Sequence, residues 1–192
     1  MAEEARQLVV LGVGNRLRGD DAVGCLVCDE LGKERTLGVK DSRGQVPDAG
    51  TVRQGPQRPI LESSNPRPHS DSVFVLDCGS TPENYIQPIA DRKPHRILVM
   101  DCCDFGAKPG EFRLFSREEV DRLSYGLLST HTLPLTLTIE MLSLETEAAI
   151  ELLGIQPERI EFGEDLSEPV RRALPAVVEF VRQWARAPQP RA

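Results

Sequence analysis

The segment LVVLGVGNRLRGDDAVGCLVCDEL, residues 8–31, constrains the fold more strongly than any other part of this chain. It begins as an apolar strand, passes through a tight turn that contains Gly12 and Gly14, and then places Asp20 and Asp21 where a helix begins. Open α/β sheets bind ligands at such strand-to-helix connections, beyond the carboxyl end of a parallel strand. The segment therefore predicts an α/β fold with a ligand site that contains acids.

The charge of these two acids decides which ligand the turn can accept. A dinucleotide site holds a pyrophosphate at a bare helix N-terminus, where Asp20 and Asp21 would repel it. The G-x-G-x-x-G pattern of such sites also fails, because Leu17 occupies the position of the third glycine. Capping of the helix would explain one acid but leave the second unexplained. A cation is therefore the favoured ligand.

Strands and helices alternate along the rest of the chain. The apolar runs Val73–Asp77 and Arg96–Asp101 are typical of strands buried on both faces. The other predicted elements are a helix within 82–94 that Pro88 limits or kinks, strands at 111–115, 148–155 and 159–162, a helical turn at 117–122, and a helix at 133–144.

The last helix has the clearest signals. Ser167 is placed to cap it, and Pro169 lies in its first turn. One face carries apolar residues at helical spacing, namely Val170, Leu174, Val177, Val178, Val181 and Trp184. The alternation of strands and helices predicts a parallel or mostly parallel sheet with helices on both sides.

The length of 192 residues predicts one domain, residues 1–187, followed by a short tail at 188–192. The segment 32–70 interrupts it with five prolines, five glycines, no aromatic residue, and seven basic against four acidic side chains. Such a composition buries too little apolar surface to offset the entropy of ordering, so a mobile insertion is predicted. Its positive charge could guide a partner, or the segment could be a solvated loop without function.

Charge and hydropathy exclude several classes of function. A formal net charge of −7 disfavours a nucleic-acid partner. No apolar run approaches the roughly 20 residues that span a bilayer, and the start MAEEARQ does not look like a signal peptide. We therefore expect a cytoplasmic protein without membrane insertion.

Five cysteines in such a chain are expected to be thiols rather than disulfides. Cys25 and Cys28 form a C-x-x-C pair, but Cys25 falls about a turn inside the predicted helix, among apolar residues. A redox pair places its first cysteine at the helix N-terminus, so both are predicted to be core residues. Cys102 and Cys103 have no second C-x-x-C with which to build a structural zinc site.

Acids end or follow three predicted strands, and parallel strands would bring them to one edge of the sheet. They are Asp20 and Asp21 after the first strand, Asp77 at the end of VFVLD and Asp101 at the end of RILVMD. His131, in the loop LLSTHTLPL, is the histidine placed to join them, whereas His69 and His95 are expected to be exposed.

Two carboxylates and an imidazole suit nickel, zinc or iron, and three protein ligands leave coordination positions open. The rival interpretation is a receiver-type phosphoacceptor that binds magnesium. It needs a lysine near the end of a late strand, and LLGIQP has none.

Five ordered motifs resemble one family. GVGNRLRGDDAVG, LDCGSTPEN, VMDCCDFGAKPGEFRL, LSTHTLPL and LGIQPERIEF are similar to motifs of the endopeptidases that mature [NiFe]-hydrogenase large subunits. The resemblance is strongest to the branch that serves hydrogenase 3-type enzymes, and it covers nearly the whole chain apart from the insertion and the last few residues.

The resemblance implies a three-layer α/β/α sandwich with a twisted sheet of about five strands. It also implies an endopeptidase that removes a carboxyl-terminal extension from the large-subunit precursor after nickel insertion beside a C-x-x-C-x-x-[HR] segment. By motif, Asp21, Asp101 and His131 would contact the nickel that the precursor carries. Asp77 would be a further acid near the cleft. The family is grouped with aspartic peptidases, so Asp21 and Asp77 are candidate catalytic residues, without an assigned general base. A monomer is expected.

The chain departs from the family pattern at Ala22 and Cys78, where many relatives have glycine, and in its long insertion. The neighbouring cysteines could in principle draw the metal away from the predicted site. Because a fold does not determine function, a non-catalytic metal-sensing or chaperone-like module in hydrogenase assembly remains the alternative.

Overall fold

The computed structural model describes residues 7–33, 72–123, 135–163 and 165–187. Five strands and five helices lie within these ranges. They are β1 Gln7–Val13, α1 Val23–Lys33, β2 Ser72–Gly79, α2 Ile86–Ala90, β3 Arg96–Cys102, β4 Phe112–Ser116, α3 Arg117–Leu123, α4 Leu135–Glu145, β5 Ala149–Ile155 and α5 Glu168–Arg186, with 3-10 turns at Gly19–Ala22 and Pro82–Tyr85.

The five strands form one sheet in the order β2-β1-β3-β5-β4. Strands β2, β1, β3 and β5 run parallel to one another, and β4 at the end of the sheet is antiparallel to β5. This confirms the predicted five-stranded, mostly parallel sheet. It also brings the carboxyl ends of β1, β2 and β3 to the same edge, as the sequence predicted.

The sheet lies between two layers of helices, because alternate side chains of each strand point to opposite faces. On one face, Val10 and Met100 pack with Val177 and Trp184 in a core formed with α1 and α5. On the other face, the core contains residues of α2 and α4, such as Ile86, Ile89, Ile139 and Leu142. The three-layer α/β/α sandwich is therefore confirmed.

Glycines let α1 approach the end of β1 closely. A Cβ atom on Gly24 would lie 2.3 Å from the Val13 carbonyl oxygen and 2.7 Å from that of Met100. A Cβ atom on Gly12 would lie 2.4 Å from the Gly24 carbonyl oxygen. In a dinucleotide-binding fold, the third glycine allows the helix to pack closely on the strand. Here Gly24, within α1, makes that close contact, so the start of α1 lies over the ends of β1 and β3.

Most of the predicted elements are confirmed with small shifts at their ends, but the strand predicted at 159–162 is wrong. Residues 156–163 form an irregular loop. The backbone N–H of Arg159 donates to Asp20, and that of Gly163 donates to the Leu17 carbonyl oxygen. These backbone groups are used in loop contacts, so they do not pair with a neighbouring strand.

The predictions for α5 are confirmed in position but not in every contact. Ser167 occupies the N-cap position and Pro169 lies in the first turn, yet the Ser167 side chain makes no capping hydrogen bond within the described residues. Its backbone N–H donates instead to Asp20. Within the predicted insertion, Gly32 and Lys33 are the last residues of α1, and the remainder lies outside the described residues, as do His69 and the tail 188–192.

No helix in the described parts of the chain combines the length and apolar character needed to cross a membrane.

Candidate active site

Asp20 and Asp21 lie in the 3-10 turn between β1 and α1, and both are fully buried. The Asp20 carboxylate accepts three backbone hydrogen bonds, from the N–H groups of Glu158 (2.8 Å), Arg159 (3.1 Å) and Ser167 (2.7 Å). Asp20 therefore anchors the distant segment that leads into α5. Asp20, the first of the two adjacent acids, therefore has a structural role.

Asp21 is held from the turn that precedes it. The backbone N–H of Asn15 donates to the Asp21 carboxylate at 3.2 Å. The main chain of Asp21 also packs against Gly14, where a Cβ atom would lie only 1.8 Å from the Asp21 carbonyl oxygen and where φ is +145°. Gly14 is thus the residue that allows the turn to place Asp21 at the carboxyl edge of the sheet.

Asp101, near the end of β3, is also fully buried. Its Oδ1 accepts a hydrogen bond from the Cys102 N–H at 2.8 Å. Burial raises the pKa of the Cys102 and Cys103 thiols, and the negative charges of Asp101 and Asp21 raise the pKa of both further. Asp21 follows β1 and Asp101 lies near the end of the adjacent parallel strand β3, so both acids lie at the carboxyl edge of the sheet.

Asp77 lies apart from Asp101. The two residues are on strands that flank β1 from opposite sides. Asp77 is paired in register with Gly12, and Gly12 faces α1. Asp101 is paired in register with Gly154. A Cβ atom on Gly154 would contact Phe115 and Cys103, which belong to the core on the opposite face of the sheet. The register therefore places the two acids on different faces of the sheet, although both lie near its carboxyl edge.

The Asp77 carboxylate is paired with Arg16. The Arg16 guanidinium contacts Asp77 at 2.6 Å and Asp29 at 2.8 Å, and the Gly79 N–H donates to Asp77 Oδ1 at 3.0 Å. Burial alone would raise the pKa of Asp77, but hydrogen bonds from Arg16, Cys25 and Gly79 hold it below its usual value. Asp77 is therefore ionised at neutral pH.

A cavity of about 350 Å³ opens beside this ion pair. The side chain of Asp77 is 36% exposed, so its carboxylate can reach a molecule in the cavity. The lining residues come from the two turns at the ends of β1 and β2: Gly14, Asn15, Arg16, Asp77, Cys78, Gly79, Ser80 and Tyr85.

The predictions for the cysteines are confirmed. Cys25, Cys28, Cys78, Cys102 and Cys103 are all free and buried. Burial is the largest cause of the raised pKa of each thiol, so they are protonated core residues at neutral pH. Within the ranges that the structure describes, no three His, Cys, Asp or Glu side chains form a group that could hold a metal ion.

Of the three histidines, His95 lies within the described residues, and His69 and His131 do not. His95 is exposed, as predicted. His131, the predicted third metal contact, lies outside the described residues, so its place beside Asp21 and Asp101 stays a prediction.

Sequence reasoning missed Arg16 and the structural role of Asp20. A signal for Arg16 was available, because an ionised acid at the end of β2 needs a cation and Arg16 lies in the neighbouring turn. No local signal distinguishes Asp20 from Asp21, because the partners of Asp20 lie about 140 residues further along the chain.

The fold is shared with proteins described as hydrogenase maturation proteases. The hydrogenase 3 maturation protease of Escherichia coli K12 is 27% identical over 176 residues, which cover 92% of this chain and 89% of that protein. The crystal structure of the [NiFe] hydrogenase maturation protease HycI from Thermococcus kodakarensis superposes with a TM-score of 0.67, at 26% identity and over 96% of both chains. The solution structure of the endopeptidase HycI from E. coli gives a TM-score of 0.64 at 26% identity, over 93% of this chain and 90% of that one.

The model of the hydrogenase maturation protease family HycI matches residues 61–184, more than half of the chain. The chain therefore belongs to this family, and the resemblance found in its motifs is confirmed.

Proposed function

We propose that this protein is the endopeptidase that removes the carboxyl-terminal extension of a [NiFe]-hydrogenase large-subunit precursor once nickel has been inserted. Membership of the maturation protease family supports the class of reaction. The observation that supports the site is that two fully buried acids, Asp21 after β1 and Asp101 near the end of β3, lie at the carboxyl edge of the sheet. That edge is where α/β folds bind their ligands.

In this proposal nickel belongs to the substrate, and Asp21, Asp101 and His131 contact it there. The precursor would hold the ion through thiolates, which are softer ligands than carboxylates and imidazole. Oxygen and nitrogen donors can therefore complete the coordination sphere without removing the ion. The protease would in this way test whether nickel is present before it cuts.

Asp21 and Asp77 are the proposed catalytic residues, in keeping with an aspartic-type peptidase. Hydrolysis adds water to the scissile carbonyl carbon and transfers a proton to the leaving amine. An ionised carboxylate can accept a proton from a water molecule within hydrogen-bond reach. Asp77 has the required charge, a fixed orientation on Arg16 and access to the cavity. Which of the two acids takes the proton is left open in the proposal, and the cytoplasmic location and monomeric state stay predictions.

Mass spectrometry of the intact precursor tests the proposed reaction. The protein is incubated with nickel-loaded precursor and, as a matched control, with precursor that lacks nickel. We expect a carboxyl-terminal peptide to be lost from the loaded form alone. Equal cleavage of both forms would contradict nickel recognition. Binding of loaded precursor without any change in its mass would instead favour a metal-sensing or chaperone-like module.

A further inference from the structure

Two loops meet beside the acid-bearing turn. The loop that follows β1 and the loop that follows β5 are joined by backbone hydrogen bonds, from Gly163 N–H to the Leu17 carbonyl oxygen (2.8 Å) and from Asp20 N–H to the Arg159 carbonyl oxygen (3.0 Å). The Arg18 side chain adds a bond from Nε to the Ile160 carbonyl oxygen at 3.3 Å. These bonds hold the two loops together as one unit.

The Asp20 side chain also anchors this pair of loops. The buried carboxylate of Asp20 accepts the N–H groups of Glu158, Arg159 and Ser167, which fixes the second loop at both of its ends. Gly19 has a φ of +50°, and a Cβ atom there would lie 3.0 Å from the Arg159 carbonyl oxygen. Charge-assisted hydrogen bonds to a buried carboxylate are strong, so the surface that these loops present is preorganised.

This rigid unit exposes two large apolar side chains. Leu17 is 60% exposed and Phe162 is 73% exposed. Their backbones are adjacent. Gly163, the residue after Phe162, donates its backbone N–H to the Leu17 carbonyl oxygen. We call this pair, Leu17 and Phe162, the apolar rim. Single exposed apolar residues are common on protein surfaces, whereas exposed apolar residues grouped together can mark an interaction site.

The position of the apolar rim identifies what it binds. Leu17 lies four residues before Asp21 in the loop that follows β1, and the Asp21 N–H donates to the carbonyl oxygen of the next residue, Arg18, at 3.0 Å. Asp21 and Asp101 are fully buried, so a protein substrate must be guided to them by the surface around them. The rim therefore lies on the loop that carries Asp21 and on the loop bonded to it.

We infer that the apolar rim docks the precursor polypeptide, through apolar side chains that flank the bond to be cut. This inference rests on the proposed function. Aromatic residues are enriched among the residues that contribute most to protein–protein binding. A surface that is already rigid loses little conformational entropy when a partner binds, so more of the contact energy is available for affinity.

Replacement of the rim residues by serine tests the inference. Phe162→Ser, Leu17→Ser and the double variant are compared with the unsubstituted protein in steady-state cleavage of nickel-loaded precursor. We expect KM to rise about tenfold for Phe162→Ser and further for the double variant, because burial of such a side chain contributes on that scale. kcat should stay within about twofold, and the thermal midpoint should not change, since both side chains are exposed.

Leu144→Ser is the matched control. Leu144 on α4 is 79% exposed, so its replacement removes a similar amount of apolar surface away from the acid-bearing turn. KM should be unaffected by this change. An equal rise in KM for Leu144→Ser would show that the effect is nonspecific and would overturn the inference.

Binding of the precursor, measured by interferometry on the same proteins, separates this inference from the proposed function. If the unsubstituted protein cleaves and the double variant has an unchanged KM and affinity, the rim does not dock the precursor but the proposed reaction stands. If the unsubstituted protein binds without cleaving, the proposed function fails, and loss of affinity in the double variant still supports the rim. Absence of binding to the unsubstituted protein overturns the inference.

Conversion of a dimer to a monomer by the double variant would likewise overturn it, since the rim would then contact a second copy.

Discussion

The amino and carboxyl edges of the sheet use their acidic side chains differently. Near the amino ends of β3 and β5, Glu151 accepts hydrogen bonds from Arg96 at 2.8 Å and from the Trp184 indole N–H at 2.7 Å. The Arg96 guanidinium also lies 4.2 Å from the centre of the Trp184 ring. At the carboxyl edge, Asp21 and Asp101 are both fully buried and lie beyond or near the ends of two adjacent parallel strands.

This difference shows how one chemical group can serve stability or function. At the amino edge, a guanidinium compensates the carboxylate, and a tryptophan from α5 covers the pair. Such an arrangement joins α5 to the sheet. The charge of Glu151 is already balanced by Arg96, so no positively charged ligand is needed there. At the carboxyl edge, Asp21 and Asp101 are the acids proposed to contact nickel on the substrate. We therefore expect substitutions at the first edge to change stability, and substitutions at the second to change activity.

The largest expected effect is on cleavage by variants of Asp21 and Asp101. Asp21→Asn and Asp101→Asn keep the size of the side chain while they remove a charged oxygen donor. Each should lower kcat/KM on nickel-loaded precursor by at least about 100-fold, on the scale found for metal-site substitutions. The double variant should be little worse than either single one, because the acids act on one ligand. Losses that multiply independently would show that the two acids do not share a site.

His131→Ala should have an effect of similar size, if His131 contacts the same nickel. As a residue predicted to lie in a loop, it should change the free energy of unfolding by less than about 0.5 kcal/mol. Cleavage of nickel-loaded precursor and thermal unfolding of the same preparation measure the two effects. Near-normal cleavage by the folded variant would remove His131 from the site. His95→Ala, at an exposed position near the opposite edge, is the matched control.

At the amino edge, Arg96→Met should destabilise the protein by about 2 kcal/mol, because it leaves the Glu151 carboxylate without its cation. This value lies below the range for fully buried pairs, since Glu151 is partly exposed. Denaturant unfolding measures the loss, and kcat/KM per folded molecule should stay unchanged. A large fall in specific activity would contradict the division of roles between the two edges.

The smallest expected effect concerns the pH dependence of stability through Asp77. The pKa of Asp77 is lower in the folded protein than in the unfolded chain, so its ionised form stabilises the fold. This contribution is complete above the unfolded pKa of about 4 and is lost as the pH falls through the lower, folded pKa. For a partly exposed ion pair it should be less than about 1 kcal/mol.

Unfolding of the unsubstituted protein and of Asp77→Asn between pH 6 and pH 2.5 measures this contribution. The difference in stability between them should be constant above about pH 4 and should shrink below it. A difference that grew as the pH fell would show that the Arg16–Asp77 pair does not stabilise the fold in solution.

The sequence was sufficient for those features that depend on local pattern. Apolar runs identified β2 and β3, the glycine turn and acids identified the start of α1, and the spacing of apolar residues identified α5. From these elements the parallel sheet and the edge that carries the acids follow by general rules of α/β folds.

The sequence was insufficient where distant contacts decide the structure. The false strand at 159–162 has a plausible pattern, but the Arg159 N–H donates to Asp20, and the carbonyl oxygens of Arg159 and Ile160 accept hydrogen bonds from the loop after β1. The separation of Asp77 from Asp101 depends on the register of three strands, and register is not visible in a single segment.

The bonds from Asp20 to residues 158, 159 and 167 have a consequence for the timing of activity during synthesis. The turn that holds Asp21 is synthesised well before the backbone groups that anchor it, which lie about 140 residues further along the chain. Until residues 158 to 167 have been made, the Asp20 carboxylate is hydrated and the turn lacks its anchor. A nascent chain thus carries its acids before the contacts that position them can form.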